Sequence, residues 1–172
     1  GRVIARPFVG SKDEGWKRTK NRRDYAMLPP GSVLIDWVKA SGGKTYAIGK
    51  IGDIFSMRNI DFNFTGTDLD LMDQLQKQIE CAEDGSLIFA NFVEFDSLFG
   101  HRRDPTGYAK ALEWFDNEIA SVVGNLLEDD LLIITADHGN DPTWSGTDHT
   151  REQVPVLIKG KADLIQSGIE FR

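Results

Sequence analysis

Apolar residues along this chain fall into two kinds of run. Residues 45–48, 87–93, 131–134 and 154–158 form short apolar or β-prone runs bounded by turn formers. They are too brief for globular helices and predict strands, buried on both faces where the run is continuous. Between them, apolar positions recur every three or four residues, the spacing of one helical face. Val33, Leu34, Trp37 and Val38 mark one helix, and Leu69, Met72, Leu75 and Ile79 a second. Tyr108, Leu112, Phe115, Ile119, Val122 and Leu126 mark the longest, a stripe that reads as core and not as a cofactor pocket. The punctuation agrees. Ser32 is a candidate N-cap and Gly42-Gly43 a helix stop. Thr67 or Asp68 caps the second helix, whose first turn holds Asp68 and Asp70 as the dipole prefers, and Pro105 opens the third. Residues 59–64 alternate and read as an exposed strand or loop. The order βαβαβαβ predicts an α/β fold, a mainly parallel sheet flanked by helices with right-handed crossovers.

The first 28 residues differ in character from the rest. Val3, Ile4 and Ala5 suggest a strand and residues 10–15 a loop, and residues 17–23 then carry five basic side chains. Guanidinium groups match phosphate in a bidentate way that lysine cannot, although composition alone favours a solvated basic loop. Pro29-Pro30-Gly31 marks the passage to the remainder, so two segments are predicted, 1–28 and 29–172.

Composition narrows the class. With 172 residues, 40% of them hydrophobic, the chain can bury one sizeable core. A net charge of −7 argues against a general nucleic-acid-binding surface. The single cysteine, Cys81, excludes a disulfide within these residues and suits a reducing compartment. No signal-like segment or long apolar run suggests export or membrane insertion, so a cytoplasmic location is expected.

The chemistry lies where the predicted strands end. Asp137 and His138 directly follow the 131–134 strand, and His149 returns eleven residues later, past a Gly/Asp/Pro-rich loop. Beyond the 87–93 strand come Asp96 and, five residues on, His101. These are all three histidines of the chain, and ligands of open α/β sheets bind beyond the carboxyl ends of strands. Carboxylates mixed with imidazoles suit Mn²⁺ or Zn²⁺ better than Ca²⁺. Five ligands exceed what one catalytic ion with an open position needs, and point to two ions. Asp96, His101, Asp137, His138 and His149 are therefore expected to converge. Lys50, at the end of the 45–48 strand, is placed either to reach a phosphate or to lie in solvent.

T-A-D-H-G-N-D-P, then G-T-D-H-T-R-E and V-P-V-L, resembles the metal-binding block of the alkaline phosphatase superfamily. F-D-S-L-F-G-H-R-R-D-P-T-G-Y, with G-R-V-I-A-R-P-F and N-R-R-D-Y-A, narrows the resemblance to the bacterial phosphopentomutase family, from residue 1 to about residue 159. That resemblance implies a phosphatase-like α/β core with an inserted cap, residues 1–28 being the end of the cap and 29–172 the second half of the core. It also implies two Mn²⁺ ions and interconversion of ribose or deoxyribose 1-phosphate and 5-phosphate through a phosphorylated threonine. Pentose phosphates and a sugar bisphosphate activator are the implied partners. Carried over, Asp137 and His138 would hold one ion, and Asp96, His101 and His149 the other. Cap arginines would bind substrate: Arg18 and Arg22 first, with Arg2, Arg6 and Arg23 behind them.

The family pattern also calls for a further metal-ligating Asp and a nucleophilic Thr. Thr135, Thr147 and Thr150 do not match the nucleophile's motif, so the chain reads as part of a mutase whose N-terminal half supplies both groups. By itself it is expected to be inactive. Arg102 and Arg103 are either charge partners for phosphate or structural pairs for acids. Asp104, Asp141 and Asp148 are candidates to accept from ligand imidazoles, with turn formation favoured for Asp141 before Pro142. Two rival readings remain, another phosphomutase or metal-dependent phosphatase of the superfamily, and a non-catalytic metal-binding module.

Overall fold

The structure is a computed structural model that describes residues 2–19, 21 and 23–161. The chain forms two compact units, one from Gly1–Gly66 with Ala82–Asn91, the other from Thr67–Cys81 with Phe92–Arg172.

In the first unit, two antiparallel ladders are nested in sequence. Strand β1 (Arg2–Ala5) pairs with β4 (Arg23–Ala26), and β2 (Phe8–Ser11) pairs with β3 (Gly15–Arg18) inside that connection. The sequence predicts a basic loop over residues 17–23, whereas Lys17, Arg18 and Arg23 lie in strands. The second ladder is almost entirely exposed. It therefore lacks the polar/apolar alternation from which a half-buried strand is read.

The three-stranded sheet that follows is parallel, as expected. Strand β5 (Thr45–Ile48) lies between β6 (Phe62–Phe64) and β7 (Leu87–Ala90). Its four residues are all buried, as its unbroken run of β-prone side chains predicts. Helices α1 (Leu34–Ala40) and α2 (Ile51–Ile54) pack on β5, adding Ile35 and Ile51 to the core. Two details of α1 differ from the sequence reading. Its N-cap is Val33, not Ser32, because the Asp36 carboxylate accepts the Val33 amide at 2.9 Å. Its buried side chain is Ile35, while Leu34 and Trp37 are exposed, so the helix is turned from the predicted face.

One carboxylate ties β5 to its surroundings. Asp61 accepts the Lys39 ammonium at 2.7 Å, the Thr45 amide at 2.8 Å and the Thr45 hydroxyl at 3.1 Å. These donors, Lys39 foremost, hold the Asp61 carboxyl at about 2.

The second unit contains helix α3 (Asp68–Cys81), a π-helical segment (Phe95–Gly100), helix α4 (Pro105–Asn125) and strands β8 (Leu132–Thr135) and β9 (Val156–Lys159). Thr67 opens α3 through a reciprocal pairing in which its amide and hydroxyl donate to Asp70 and its hydroxyl accepts the Asp70 amide. Leu71, Met72 and Leu75 are buried, but Leu69 is exposed, a correction to the predicted face. Helix α4 begins as predicted: Pro105 takes the first turn, and the Asp104 carboxylate accepts the Gly107 amide at 2.9 Å. Helices α3 and α4 pack together, and Val122 of the predicted stripe is fully buried while Leu112 is half exposed.

Strand β8 departs from the parallel expectation. It pairs antiparallel with β9, Leu132 opposite Lys159 and Thr135 opposite Val156. Apolar runs carry no direction, so strand polarity was not readable from them, and the burial they predict is not met here, β9 being exposed throughout and β8 alternately exposed. The β7 strand also stops at Ala90, short of the predicted 93, because the chain turns helical at Glu94. Among the described residues no helix is long and apolar enough to cross a membrane.

The Asp61 contacts give a testable pH dependence. Asp61→Asn should cost on the order of 1 kcal/mol, since these bonds to a charged acceptor are partly solvent-screened. The Asp61 carboxyl lies below its ordinary value in the fold, so its stabilisation is complete above about pH 4 and is lost as pH falls toward 2. Parent and mutant unfolding curves, measured across that interval, should therefore converge as acid is added. A constant difference would show that the carboxylate charge contributes nothing.

Candidate metal centre

The first half of the site is built by an unusual helical turn. Asp68, buried at 4% exposure, accepts the Val93 and Glu94 amides at 3.1 Å each, where the π-helical segment begins. Within that segment the His101 amide donates to the Asp96 carbonyl at 2.9 Å, an i→i+5 bond. In an α-helix, residues five apart point about 140° away from each other. The wider turn returns His101 over Asp96, leaving His101 Nε2 3.2 Å from Asp96 Oδ2. Wide turns of this kind are frequent at functional sites.

The second half is a loop closed on itself. After β8, Gly139 and Thr150 form an isolated antiparallel bridge, and the Thr150 hydroxyl accepts the Asp141 amide at 2.7 Å. Asp141 closes the intervening turn, accepting the Thr143 hydroxyl and amide at 2.7 Å each, which holds its carboxyl below the usual range, the hydroxyl being the larger cause. The turn-forming role read for Asp141 thus holds. This closure brings His149 back beside His138, with ring centroids 3.7 Å apart and planes 20° apart.

The two halves meet. His149 Nε2 lies 3.3 Å from Asp96 Oδ1, and the His101 and His149 rings stack at 4.8 Å. Ligand atoms of Asp96, His138 and His149 all lie within 4.8 Å of one another. This grouping crosses the division implied by the resemblance, which put His138 with Asp137 and His149 with Asp96. Asp137 stands at the margin: its side chain is 78% exposed, with Oδ2 3.7 Å from His138 Nε2.

Imidazole tautomers decide what the cluster can do. A carbonyl only accepts, so the 2.5 Å contact of His101 Nδ1 with the Thr147 carbonyl places the proton on Nδ1. His138 Nδ1 faces the Gly139 carbonyl at 3.2 Å in the same way. In the neutral ring, Nε2 then carries a lone pair. For His101 that lone pair faces a carboxylate, which is repulsive unless a proton or a metal cation lies between them. Ligand imidazoles anchored through their other nitrogen are the usual arrangement in metal sites. The Asp96 charge is also felt by Tyr108, whose phenol is raised first by burial and second by that carboxylate.

Arg103 binds the halves to each other. Its Nε donates to the Gly146 carbonyl (2.6 Å) and Nη2 to that of Asp148 (2.6 Å). Its Nη1 donates to the carbonyls of Gly100 (3.0 Å) and Asp141 (2.8 Å) and to Asn140 Oδ1 (2.6 Å). The sequence reading paired it with phosphate or with acids; its partners here are four backbone carbonyls and one amide oxygen. Arg102 is exposed. Lys50 is half-buried at the start of α2. Arg18, on β3, is exposed opposite Phe8 in the first unit, and Arg22 lies outside the described residues.

The metalloenzyme superfamily profile matches residues 15–168. The chain belongs to the metalloenzyme superfamily. It is 51% identical over 162 residues to a phosphopentomutase of Aeromonas salmonicida, an alignment covering 94% of this chain and 40% of that protein. Phosphopentomutases of Chromohalobacter salexigens and Tolumonas auensis are each 54% identical, over 93% and 96% of this chain and 38% and 40% of their own lengths. The motif resemblance to phosphopentomutases therefore extends over nearly the whole chain, which spans about two fifths of these relatives.

One residue of this superfamily member's cluster was not singled out from sequence. Asn140 is buried, yet inside D-H-G-N-D-P it looks like a turn former, and nothing local reveals its long-range partners. Arg103 supplies the test of how the loop is held. Arg103→Lys keeps the charge but cannot reproduce a planar fork of donors, and should cost about 2–3 kcal/mol. Hydrogen exchange should accelerate selectively in residues 146–149. Unchanged protection there would show that the loop is ordered without the guanidinium.

Proposed function

We propose that this chain supplies the metal-binding portion of a phosphopentomutase. Such an isomerase interconverts ribose or deoxyribose 1-phosphate and 5-phosphate by phosphoryl transfer through a phosphothreonine. One observation carries the reading: Asp96, His138 and His149 meet within 4.8 Å in a chain about half identical to proteins of that name. In this reading residues 1–28 belong to a cap and 29–172 to the core, and the protein works in the cytoplasm.

The donor set fits a divalent transition metal. Two carboxylates and three imidazoles, two of them with Nδ1 anchored on carbonyls, suit Mn²⁺ or Zn²⁺, and two Mn²⁺ ions are proposed, with Asp96, His101, Asp137, His138 and His149 as their ligands. Such ions neutralise phosphoryl oxygens and make an oxygen nucleophile more acidic. The chain's own contribution is to hold the donors in place before the ions arrive. Thr147 fixes the His101 ring and the Gly139–Thr150 bridge closes the loop that bears His149. Arg18 and Arg22 are proposed to pair with the substrate phosphate, where guanidinium geometry favours bidentate contact. A sugar bisphosphate is the proposed activator, and the phosphorylated threonine and one further Asp are assigned to residues outside this chain.

Metal and substrate roles separate experimentally. Asp96→Asn in the natural protein should lower Mn²⁺ affinity by on the order of 100-fold and abolish ribose 5-phosphate formation from ribose 1-phosphate. Full activity with unchanged metal content would end the reading. Arg18→Ala should instead raise KM for the pentose phosphate with Mn²⁺ content unchanged, and an unaltered KM would return Arg18 to solvent. The 172 residues alone, given Mn²⁺, ribose 1-phosphate and a sugar bisphosphate, should form no product. Turnover near an ordinary enzymatic rate, on the order of 10 s⁻¹, would place the phosphoryl carrier within them.

A further inference from the structure

We propose that Asn140 is a positioning residue that sets the orientation of the Asp96 carboxylate and transmits to it the fixed geometry of Arg103. The inference rests on the reading of Asp96 as a metal ligand given above. Asn140 is 7% exposed, and both ends of its amide are engaged. Its Nδ2 donates to Asp96 Oδ1 at 2.6 Å, and its Oδ1 accepts from Arg103 Nη1 at 2.6 Å. The amide has one permitted orientation here. A guanidinium only donates and a carboxylate only accepts, so a flip would oppose like groups at both ends.

The segment bearing Asp96 is shaped around that amide. A Cβ built on Gly100 would lie 2.5 Å from Asn140 Nδ2 and 2.7 Å from its Cγ, so the missing side chain leaves the space the amide occupies. The outer torsion of an aspartate is intrinsically soft. With Oδ1 held by Asn140, the torsion is set, Oδ2 stays toward His101 Nε2 and Oδ1 also stays 3.3 Å from His149 Nε2. Asn140 itself is not assigned to touch substrate or metal. It acts through Asp96.

Asn140→Asp keeps the shape and the acceptor for Arg103 but sets a second carboxylate against Asp96 in place of the amide donor, so the uncharged Asn140→Ser is measured beside it. In the natural protein, Mn²⁺ affinity should fall about 10–100-fold, as it does when partners of metal ligands are lost, while hydrogen-exchange protection of residues 146–149 persists. A readout free of metal accompanies this. In the metal-free protein the ¹⁵N resonances of His101 and His149 Nε2, which face Asp96, should shift in the variant. Unmoved resonances with parental Mn²⁺ affinity would overturn the proposal and leave Asn140 as support for Arg103 alone. Shifted resonances in a protein whose parent binds no Mn²⁺ would uphold the positioning role and defeat the metal reading. Asn140→Ser, which leaves Arg103 its four carbonyl acceptors, is read by the same two measurements and carries the test alone if Asn140→Asp does not fold.

Discussion

One guanidinium determines whether the candidate metal centre exists. Arg103 donates to four backbone carbonyls and one side-chain amide, drawn from the π-helical segment on one side and residues 140–148 on the other. No other side chain type could do so, because five N–H groups fanned in one plane are specific to arginine. The backbone at Arg103 is itself left-handed, φ +54°, a conformation that is costly for a residue with a Cβ. That cost is offset by the five bonds the position permits. The part-buried carbonyls of Gly100 and Asp141 would be penalised if left unpaired, so the arginine and the loop conformation are parts of one solution.

From that constraint the electrostatics follow. Asp96 is approached by two imidazole nitrogens and an amide donor, and two rings stack on His149 from the sides of His101 and His138. Three cationic rings so close together would repel strongly at short range. His101 and His138, with Nδ1 on carbonyls, avoid this as neutral rings, and the Nε2 lone pair of His101 then faces the Asp96 carboxylate. A divalent cation relieves both problems at once. Under the proposed metal reading, the cluster is a set of donors arranged for positive charge.

What was legible from sequence follows from the range of the forces involved. The β5 strand and the start of α4 were readable because burial and capping are local, as with Thr45–Ile48 and the Asp104–Pro105 pair. The donors were readable because histidines are few and all follow predicted strands. Strand direction in β8 and β9 was not readable, nor was the β2–β3 hairpin, which has no buried face to imprint a pattern. The rotation of α1 toward Ile35 was also hidden, since Leu34, Trp37 and Ile35 are all apolar and tertiary packing chose among them. Asn140, and the partners of Arg103, were hidden for a different reason. Their meaning arises only when residues 37 apart in sequence meet.

The donors are not held alike, and the difference is itself informative. Asp96 is fixed through Asn140, and the His101 ring through Thr147, whereas Asp137 projects with a side chain that is 78% exposed, its Oδ2 3.7 Å from His138 Nε2. An ordered donor gives up its rotamer entropy during folding, while a mobile one gives it up when the ion binds. Under the proposed metal reading, cation binding at Asp96 would use geometry the fold has already secured, whereas at Asp137 the side chain would give up its freedom on binding.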